Sequence, residues 1–417
     1  MLGLADCNNF FVSCERTLDP SLEQRPVVVL SNNDGCAIAR SNEAKKLGVK
    51  MGQPAFELRE LIDSGRLVAL SGNHLLYREI SVRIHDIFRR YAPATIDYSV
   101  DEAFLDMDGI PTCMLPEIGE EICRVCMEEE HIPVTIGFAP TKTLAKVATE
   151  VGKKSGRRVV VIPDAGSAAE ILSRLPVQDL WGIGRRLTKR LYLCGVYTAA
   201  DFAAKDRIWV RSHLGITGER SWCELHGQPC IELDHVARPR QDSISESRTF
   251  PIDIDDFDYL RSRIVIYCGH VSKRLRSMQS ECRALSVWLC TNRFHTEQGY
   301  AAPVASVVFD RPESDASVIA SSAVGLLESI FVPGLKYKRG GVLLSEITPA
   351  RTLAPTLFEE IEKQRQEIIR SRRLMNAVDS LNKGHGQHII KLASELTKGN
   401  IGHNDGYSSS FGPAKDI

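Results

Sequence analysis

The first 165 residues alternate between short apolar runs and segments in which apolar positions have helical spacing. Apolar runs with the length and composition of buried strands occur at Leu2–Ala5, 25–32, 132–139 and 158–163. Between them, segments 41–49, 116–130 and 141–154 are predicted as helices. In segment 73–91, apolar residues recur every three or four positions, as on the buried face of a helix. Strands that alternate with helices predict an α/β or α+β unit.

Two further strand-like runs surround a break in the pattern at Asp101 and Glu102. Apolar and polar residues alternate from Ile96 to Asp101, and then a second polar residue follows directly. Neighbouring side chains of a regular strand point to opposite faces of the sheet. The break therefore predicts a hairpin turn or a bulge, which lets both carboxylates reach one side.

The remainder of the chain predicts at least two more structural units. Segment 166–236 has short helical patterns punctuated by glycine, and the polar segment 237–247 is typical of a linker. Segment 248–348 predicts a compact α+β module with two helices and three strands. Segment 349–417 predicts a charged helix at 358–380 and a flexible tail. A chain of 417 residues is too long for one hydrophobic core, which agrees with several domains.

Composition narrows the class of protein. Apolar residues make up 43% and charged residues 25%, as in globular proteins, and no apolar run approaches the length of a transmembrane helix. The start of the chain lacks the features of a secretion signal, and twelve cysteines without a framework spacing predict reduced thiols in a cytosol. We therefore expect a cytoplasmic protein with no membrane partner.

Basic residues concentrate in two segments although the net charge is −1. Segment 140–190 has 11 Lys and Arg against 4 acids, and segment 261–285 has 6 against 1. Such clusters indicate surfaces that face an anionic partner, or solvated helix faces whose charge is balanced by acids elsewhere in space.

Three carboxylates are candidate metal ligands. Asp101 and Glu102 lie at the predicted bend, and Asp6 follows the first predicted strand. Mg²⁺ prefers a few carboxylate oxygens together with waters and phosphates. An acidic surface hairpin with no ligand is the alternative that these residues alone leave open.

Segment 180–196, "LWGIGRRLTKRLYLCGV", predicts a helix–hairpin–helix motif. Gly182, Ile183 and Gly184 would form its tight turn, whose exposed backbone N–H groups are suited to a phosphate at a helix N-terminus. The cations that follow, namely Arg185, Arg186, Lys189 and Arg190, favour the backbone of a nucleic acid.

Six motifs in this order resemble those of the Y-family translesion DNA polymerases. They are "DCNNFFVSCE", "PVVVLSNNDGCAIAR", "EAKKLGVKMG", "YSVDEAFLD", "PTKTLAKVA" and "LWGIGRR", and the resemblance extends from residue 1 to about residue 348. "SNNDGCAIAR" is similar to the branch that contains the catalytic subunit of bacterial DNA polymerase V, the UmuC/ImpB type. The resemblance implies a Mg²⁺-dependent, error-prone DNA-directed DNA polymerase of DNA damage tolerance and SOS mutagenesis.

The implied fold is an α+β multidomain right-hand polymerase. It would have a palm (1–17 and 76–165), fingers (18–75), a helix–hairpin–helix thumb (166–236) and, after the linker, a little finger (248–348). In the palm, Asp6, Asp101 and Glu102 match the family's catalytic metal ligands, and the carbonyl of Cys7 is an additional ligand. These groups would bind two Mg²⁺ ions, which activate the primer 3′-hydroxyl and neutralise the triphosphate.

The resemblance also implies a nucleotide site. Phe11 matches the aromatic steric gate that excludes a 2′-hydroxyl, with Phe10 beside it, and Lys146 matches a triphosphate-binding lysine. We expect Ile38 and Ala39 to roof the templating base pair, and Arg40 and Lys45 to assist with the phosphates.

Two positions depart from the family pattern. Asn8 stands where many relatives have a second Asp, so it is not part of the expected ligand set. The triphosphate motif Tyr-Glu-Ala-Arg of other branches is Asn42-Glu43-Ala44-Lys45 here, and a lysine cannot reproduce the fork of an arginine. Asn42 and Lys45 leave room for weak intrinsic activity.

The implied partners are primer–template DNA, a dNTP, a UmuD-type accessory dimer, a RecA filament and a sliding clamp. "APTLF" at 354–358 retains only Leu357 and Phe358 of a clamp-binding peptide, and an apolar pair that docks a helix is an equal alternative. A protein that occupies primer ends on a polymerase scaffold, without synthesis, is the alternative function. A nucleotidyl cyclase is a weaker one, because it needs no duplex-binding motif. We expect the protein to act in the bacterial cytoplasm at the nucleoid.

Overall fold

The computed structural model describes residues 1–31, 34–231, 241–295, 299–350, 361–384 and residue 390. These residues divide into two compact units, one before and one after the segment 232–240. All twelve cysteines are free thiols. In the described parts of the chain, no helix has the length and apolar content needed to cross a membrane.

A five-stranded sheet forms the centre of the first unit. Its order is β5-β6-β1-β7-β8, with bounds β1 Leu2–Cys7, β5 Ala94–Asp97, β6 Glu102–Asp106, β7 Val134–Ala139 and β8 Val159–Val161. β1 is antiparallel to both of its neighbours, and β7 and β8 are parallel. The strands predicted at 2–5, 132–139 and 158–163 and the hairpin around Asp101 are therefore confirmed.

Helices cover both faces of this sheet. α1 (Phe10–Leu18), α4 (His74–Tyr91) and α5 (Leu115–Glu130) share a core with one face, and α6 (Lys142–Ser155) packs on the other. α6 lies very close to β7 because Gly137 has no side chain, since a Cβ there would be 2.3 Å from the backbone nitrogen of Thr149. This glycine fixes the height of α6 above the sheet.

A small sheet of order β3-β2-β4 follows α1 in sequence. Its elements are β2 Val27–Leu30, β3 Ala37–Arg40, α2 Asn42–Lys46, α3 Arg59–Asp63 and β4 Val68–Ser71. β2 pairs antiparallel with β3 and parallel with β4, and a separate apolar cluster lies beneath them. The predicted strand at 25–32 and helix at 41–49 are confirmed with shorter bounds.

Short helices make up the rest of the first unit: α7 Ala169–Arg174, α8 Arg185–Leu193, α9 Ala199–Ala203 and α10 Arg207–Leu225. The carboxylate of Glu224, at the end of α10, accepts hydrogen bonds from the backbone nitrogen (2.8 Å) and hydroxyl (2.6 Å) of Thr143 in the first turn of α6. A buried carboxylate at a helix N-terminus accepts hydrogen bonds from free N–H groups, and its negative charge interacts favourably with the positive end of the helix dipole. The helical segment is thereby joined to the start of α6.

The second unit contains a five-stranded antiparallel sheet, in which four strands have the order β11-β10-β12-β9 and the fifth, β13, pairs with β10. Its strands are β9 Ser243–Ile254, β10 Ser280–Thr291, β11 Val304–Glu313 and β12 Tyr337–Ser345, and β13 Thr348–Pro349 pairs with the start of β10. α11 (Phe257–Ser277) and α12 (Ala316–Ile330) share one apolar core with the sheet. The predicted α+β module is confirmed in this form.

The predicted linker at 237–247 is wrong over residues 243–247. Ser243–Ile254 is one strand, and Ser243 to Ser247 pair residue by residue with β12. The polar composition misled the prediction because this strand lies at the edge of the sheet, where only three of its twelve residues are buried. The module therefore begins at residue 243 or earlier.

A final helix, α13 (Ile361–Gly384), packs on the second unit. Met375 is 8% exposed, and the guanidinium of Arg276 donates to both oxygens of Asp379 at 2.7 and 2.8 Å. Arg372 also contacts Glu281, and Ser371 contacts Asp315. The helix predicted at 358–380 is confirmed from residue 361, whereas 351–360 and 391–417, with the predicted tail, lie outside the described residues.

Candidate active site

Strand register brings two of the predicted carboxylates together. Asp6 and Glu102 are direct partners in the antiparallel pairing of β1 with β6. Asp101 lies in the preceding turn, where its carbonyl accepts a hydrogen bond from the backbone nitrogen of Cys7 at 2.9 Å. The Ser99 hydroxyl donates to the Asp101 carboxylate at 2.5 Å and accepts from the Glu102 backbone nitrogen at 3.0 Å. The turn thus places Asp101, Glu102, Asp6 and Cys7 at one end of the sheet.

Two lysines of α6 contact these carboxylates. The Lys146 ammonium lies 3.0 and 3.2 Å from the two carboxylate oxygens of Glu102, and the Lys153 ammonium lies 2.5 Å from Asp6. The two lysines are seven residues apart, which is about two turns, so they occupy the same face of the helix. Lys146 was predicted at this site, and Lys153 was not.

Burial controls the electrostatics of the carboxylates. Asp6 is 6% exposed, and burial raises its pKa to about 7, against the opposing effect of Lys153 and with a smaller increase from Glu102. Burial and the neighbouring Asp6 carboxylate also raise the pKa of the Cys7 thiol. A buried carboxylate of this kind is stabilised in its charged form by an additional cation.

The donor set fits a hard divalent cation in its chemistry. The groups at the end of the sheet are carboxylates and a backbone carbonyl, which are the oxygen ligands that Mg²⁺ takes. Within the described residues, no three His, Cys, Asp or Glu side chains converge into a complete ligand group. Lys146 contacts both carboxylate oxygens of Glu102, Lys153 contacts one oxygen of Asp6, and Ser99 contacts one oxygen of Asp101.

The two predicted aromatics have different environments. Phe10 is 3% exposed and belongs to the hydrophobic core, so the prediction that it binds nucleotide is not supported, because its ring offers almost no surface to a ligand. Phe11 is half-buried and stacks on Tyr77, with ring centroids 4.4 Å apart and planes inclined by 15°. The Tyr77 hydroxyl donates to the buried carboxylate of Glu15 at 2.5 Å. Phe11 therefore rests on a fixed ring and keeps one part accessible.

A group of cations lies near the carboxylates. The Lys45 ammonium donates to the side-chain oxygen of Asn9 at 2.7 Å, and its pKa is lowered by burial and by the positive charges of Arg40 and Lys153. Arg40 donates to the carbonyl of Val49 at 2.7 Å, so that part of its guanidinium holds the backbone. Mutually repelling cations with partial burial form a favourable place for an anion.

The predicted roof residues, Ile38 and Ala39, belong to β3. Ile38 is half-buried and Ala39 is 9% exposed, and both pack against the apolar cluster that includes Phe11. A register shift in the pairing of β2 with β3 brings these consecutive residues to one side, where a regular strand would separate them.

The predicted hairpin turn is confirmed, although the element before it is only one 3-10 turn, Val177–Asp179. Gly182 has φ +86°, a conformation that favours glycine, and the Ile183 backbone nitrogen donates to the carbonyl of Leu180 at 3.1 Å. Gly184 is the N-cap of α8. The exposed Arg185 and Arg186 follow directly in its first turn.

Sequence reasoning missed three residues that organise the site: Lys153, Tyr77 and Trp181. Lys153 repeats Lys146 at a spacing of seven on one helix, which was a readable signal. Tyr77 lies on the buried stripe of α4, where nothing distinguishes it from a core residue. Trp181 precedes the hairpin turn and contacts the ring of Tyr98 across the site, and this contact had no sequence signal. The predicted clamp pair, Leu357 and Phe358, lies outside the described residues.

Known proteins match the chain over most of its length. Residues 5–150 match the impB/mucB/samB family, and residues 241–357 match the C-terminal domain of that family. Protein UmuC of Salmonella typhimurium is 34% identical over 399 residues, covering 95% of this chain and 93% of that protein. DNA polymerase IV of Pelotomaculum thermopropionicum is 28% identical over 414 residues, covering 98% of each.

A solved structure confirms the predicted fold class, an α+β multidomain polymerase fold. A Y-family DNA polymerase chimera of Dbh and Dpo4 has a TM-score of 0.65 and 22% identity, and it covers 84% of this chain and 99% of its own. At this identity the likeness concerns the fold alone. The sequence matches go further, and they confirm the resemblance seen in the motifs: the chain belongs to the impB/mucB/samB family.

Proposed function

We propose that this protein is an error-prone translesion DNA polymerase, which adds deoxynucleotides to a primer 3′-hydroxyl opposite a damaged template in SOS mutagenesis. Membership of the family supports the predicted class, a DNA-directed DNA polymerase. The observation that carries the proposal is the pairing of Asp6 with Glu102 at the strand ends, with Asp101 in the adjoining turn. Phosphoryl transfer depends on positioned charge more than on covalent chemistry, and this constellation supplies it.

The described elements suggest how the parts of the enzyme divide. The large sheet and its helices would be the palm (1–17 and 76–165), the small sheet the fingers (18–75), and the short helices the thumb (166–236). The second unit would be the little finger, beginning at residue 243 or earlier in place of residue 248. The palm assignment rests on the location of the carboxylates in the sheet of order β5-β6-β1-β7-β8.

The family implies a divalent metal cofactor, and we assign two Mg²⁺ ions to this site. Asp6, Asp101, Glu102 and the carbonyl of Cys7 would hold them. When bound, Mg²⁺ lowers the pKa of a 3′-hydroxyl and neutralises phosphate charge. Asp6, whose pKa burial raises to about 7, is the ligand that gains most from a neighbouring cation.

The chain's own residues supply binding and selection. Lys45, Lys146 and Arg40 would contact the triphosphate as positive charges, and a hydrogen bond to Asn9 orients the Lys45 ammonium. Phe11 would lie under the sugar and exclude a 2′-hydroxyl, because its ring is fixed from behind by Tyr77. Ile38 and Ala39 present small surfaces above the same cluster, so the templating base pair would meet a loose roof.

Primer–template DNA would contact the hairpin at Gly182, Ile183 and Gly184. Backbone N–H groups at the start of α8 and the exposed Arg185 and Arg186 provide the groups that bind a phosphate. Among the described residues, neither arginine has an ion-pair partner, so both charges are free for DNA.

The wider cellular setting is inferred from the family alone. We assign the protein to the bacterial cytoplasm, at the nucleoid, with a UmuD-type accessory dimer and a RecA filament as activating partners. A sliding clamp would bind through Leu357 and Phe358.

Primer extension past an abasic site tests the proposal. The purified chain is compared with Asp101→Ala and with Asp106→Ala, a control carboxylate at the other end of β6. Extension by the unmodified chain should require Mg²⁺. It should fall at least about 1000-fold in Asp101→Ala, because a charge used in the transition state is lost. Extension by the control Asp106→Ala should persist. Primer–template affinity should stay within about threefold in both variants, because phosphate contacts elsewhere carry it.

Two results would contradict this assignment. Near-normal extension by Asp101→Ala would place the metal site elsewhere. Tight primer–template binding without any extension, even after addition of the accessory dimer and RecA filament, would favour the alternative of a protein that only occupies primer ends.

A further inference from the structure

Two aromatic rings enclose the ammonium group of Lys146. Its nitrogen lies 4.5 Å from the ring centroid of Tyr98 and 5.4 Å from that of Trp181. The two rings are perpendicular, at 88°, with centroids 5.8 Å apart, and the indole nitrogen of Trp181 donates to the Tyr98 hydroxyl at 3.2 Å. Tyr98 and Trp181 therefore form two walls of one cage, which we call the lysine cage.

The lysine cage has a firm base. Phe104, 1% exposed, contacts both rings, with centroids 5.5 Å from Tyr98 and 6.3 Å from Trp181. Tyr98 belongs to the hairpin that carries Asp101 and Glu102, and its backbone nitrogen donates to the carbonyl of Glu102 at 3.0 Å. The positions of the rings are thus fixed relative to the backbone of the turn that carries Asp101 and Glu102.

The open side of the lysine cage faces a carboxylate. Lys146 reaches both oxygens of Glu102 from between the two rings, and its side chain is 18% exposed. An aromatic face attracts an ammonium ion by about 0.5 to 2 kcal/mol. This free energy corresponds to about a two- to thirtyfold increase in the population of the lysine conformer that contacts the ring. A lysine side chain has many rotamers, so enclosing rings reduce the freedom that it must lose when it acts.

We propose that Trp181 is a positioning residue, which together with Tyr98 fixes the Lys146 ammonium next to the turn that carries Asp101 and Glu102, where it would contact the triphosphate. This inference rests on the proposed function, since it concerns the same site. Trp181 does not touch the carboxylates itself and acts through the lysine. Its location directly before the hairpin turn assigns it to the thumb, so that the thumb contributes to a lysine of the palm.

Chemical labelling of Lys146 tests the lysine cage without any metal or DNA. An amine-reactive acetylating reagent is applied to the full chain, and Lys146 acetylation is followed by peptide mass spectrometry. Trp181→Ala should raise the labelling rate about fivefold or more, because one wall of the cage is lost. Trp209→Ala is the matched control, since Trp209 also carries a lysine 5.4 Å from its ring centroid, and it should leave Lys146 labelling unchanged.

Smaller changes cover the case in which Trp181→Ala fails to fold. Trp181→Phe and Tyr98→Phe each remove the hydrogen bond between the rings and keep both walls, and each should raise Lys146 labelling by about twofold. Unchanged labelling in all folded variants of the two residues overturns the proposal.

A double-mutant cycle tests the effect on catalysis. Trp181→Ala should lower kcat for nucleotide incorporation about tenfold with primer–template affinity unchanged, and it should add no further loss to Lys146→Ala. Losses that multiply would show that Trp181 acts independently of Lys146 and would overturn the proposal. Absence of extension in the unmodified chain, even with the accessory dimer and RecA filament present, would refute the proposed function. The labelling result would still decide whether the lysine cage exists.

Discussion

The hydrogen bond beneath Phe11 joins two groups that are both buried. Tyr77 is 1% exposed and Glu15 is 3% exposed, and the tyrosine hydroxyl is the hydrogen-bond donor to the carboxylate. Tyr77→Phe removes this donor and keeps the ring that stacks on Phe11. We expect the substitution to affect stability strongly and sugar discrimination weakly.

The size of the stability loss in Tyr77→Phe follows from the Glu15 carboxylate, which stays buried without its hydrogen-bond donor. A buried acceptor left without its partner costs about 1–3 kcal/mol, so Tyr77→Phe should lower the free energy of unfolding of the first unit by about that amount at pH 7.5. Burial raises the pKa of Glu15 above its usual value, and the Tyr77 hydroxyl opposes this rise. The substitution therefore raises the pKa of Glu15 further.

The direction of the pH dependence follows from this pKa. A carboxyl group whose pKa is higher in the folded than in the unfolded protein costs no stability below the unfolded value, and it costs progressively more as pH rises toward the folded value. The loss of unfolding free energy in Tyr77→Phe, relative to the unmodified chain, should accordingly be smaller at pH 5 than at pH 7.5.

Urea unfolding at the two pH values, together with hydrogen exchange of peptides from α1 and α4, measures the deficit. Tyr192→Phe is the control, because the Tyr192 hydroxyl makes a hydrogen bond to Gln178 at an exposed position and its loss should cost less than about 0.5 kcal/mol. Ribonucleotide incorporation by Tyr77→Phe should stay within about threefold of the unmodified chain, since the aromatic stack remains. A deficit at pH 7.5 as small as that of the control, or one that grows on acidification, would refute the reasoning.

Three further experiments test separate parts of the structure. Phe11→Ala should admit ribonucleotides, measured as the ratio of kcat/KM for dNTP and rNTP, and an unchanged ratio would locate the sugar gate elsewhere. Combined replacement of Arg185 and Arg186 by alanine should reduce the slope of log Kd against log salt for primer–template by about 2, and an unchanged slope would exclude both from phosphate contact. Gly137→Ala should lower the free energy of unfolding of the first unit by more than about 3 kcal/mol, measured in urea, because its Cβ would overlap α6. The control Gly325→Ala, with open space around it, should be neutral or slightly stabilising. Equal effects of the two substitutions would contradict the close packing of α6 on β7.

Elements with a strong hydrophobic period were predictable from the sequence. The buried stripe of α4 and the apolar strands β2 and β7 each reproduce the expected pattern within a few residues. The start of β9 was not predictable, because an edge strand with an exposed face has the composition of a linker. Its partner strand, about a hundred residues later in the chain, decides its structure.

The site was predictable where a motif has a local cause. The break in alternation at Asp101 correctly indicated a turn, because the period of a strand is a backbone property. Phe10 and Phe11 could not be separated from sequence, since consecutive aromatics at a helix start differ only in the direction that the helix gives them. The stack of Phe11 on Tyr77 and the contact of Trp181 with Tyr98 join distant segments, so they depend on the assembled fold.

The contacts of α13 determine where the chain can be shortened for study. A truncation after β13 would resemble a clean domain boundary in sequence, yet it would remove Asp379 and Arg372 and leave Arg276 and Glu281 without these charged partners. It would also uncover the apolar surface beneath Met375. Fragments meant to represent the second unit should therefore extend through Gly384, and a shorter fragment that aggregates would report the loss of this helix and not an intrinsic property of the sheet.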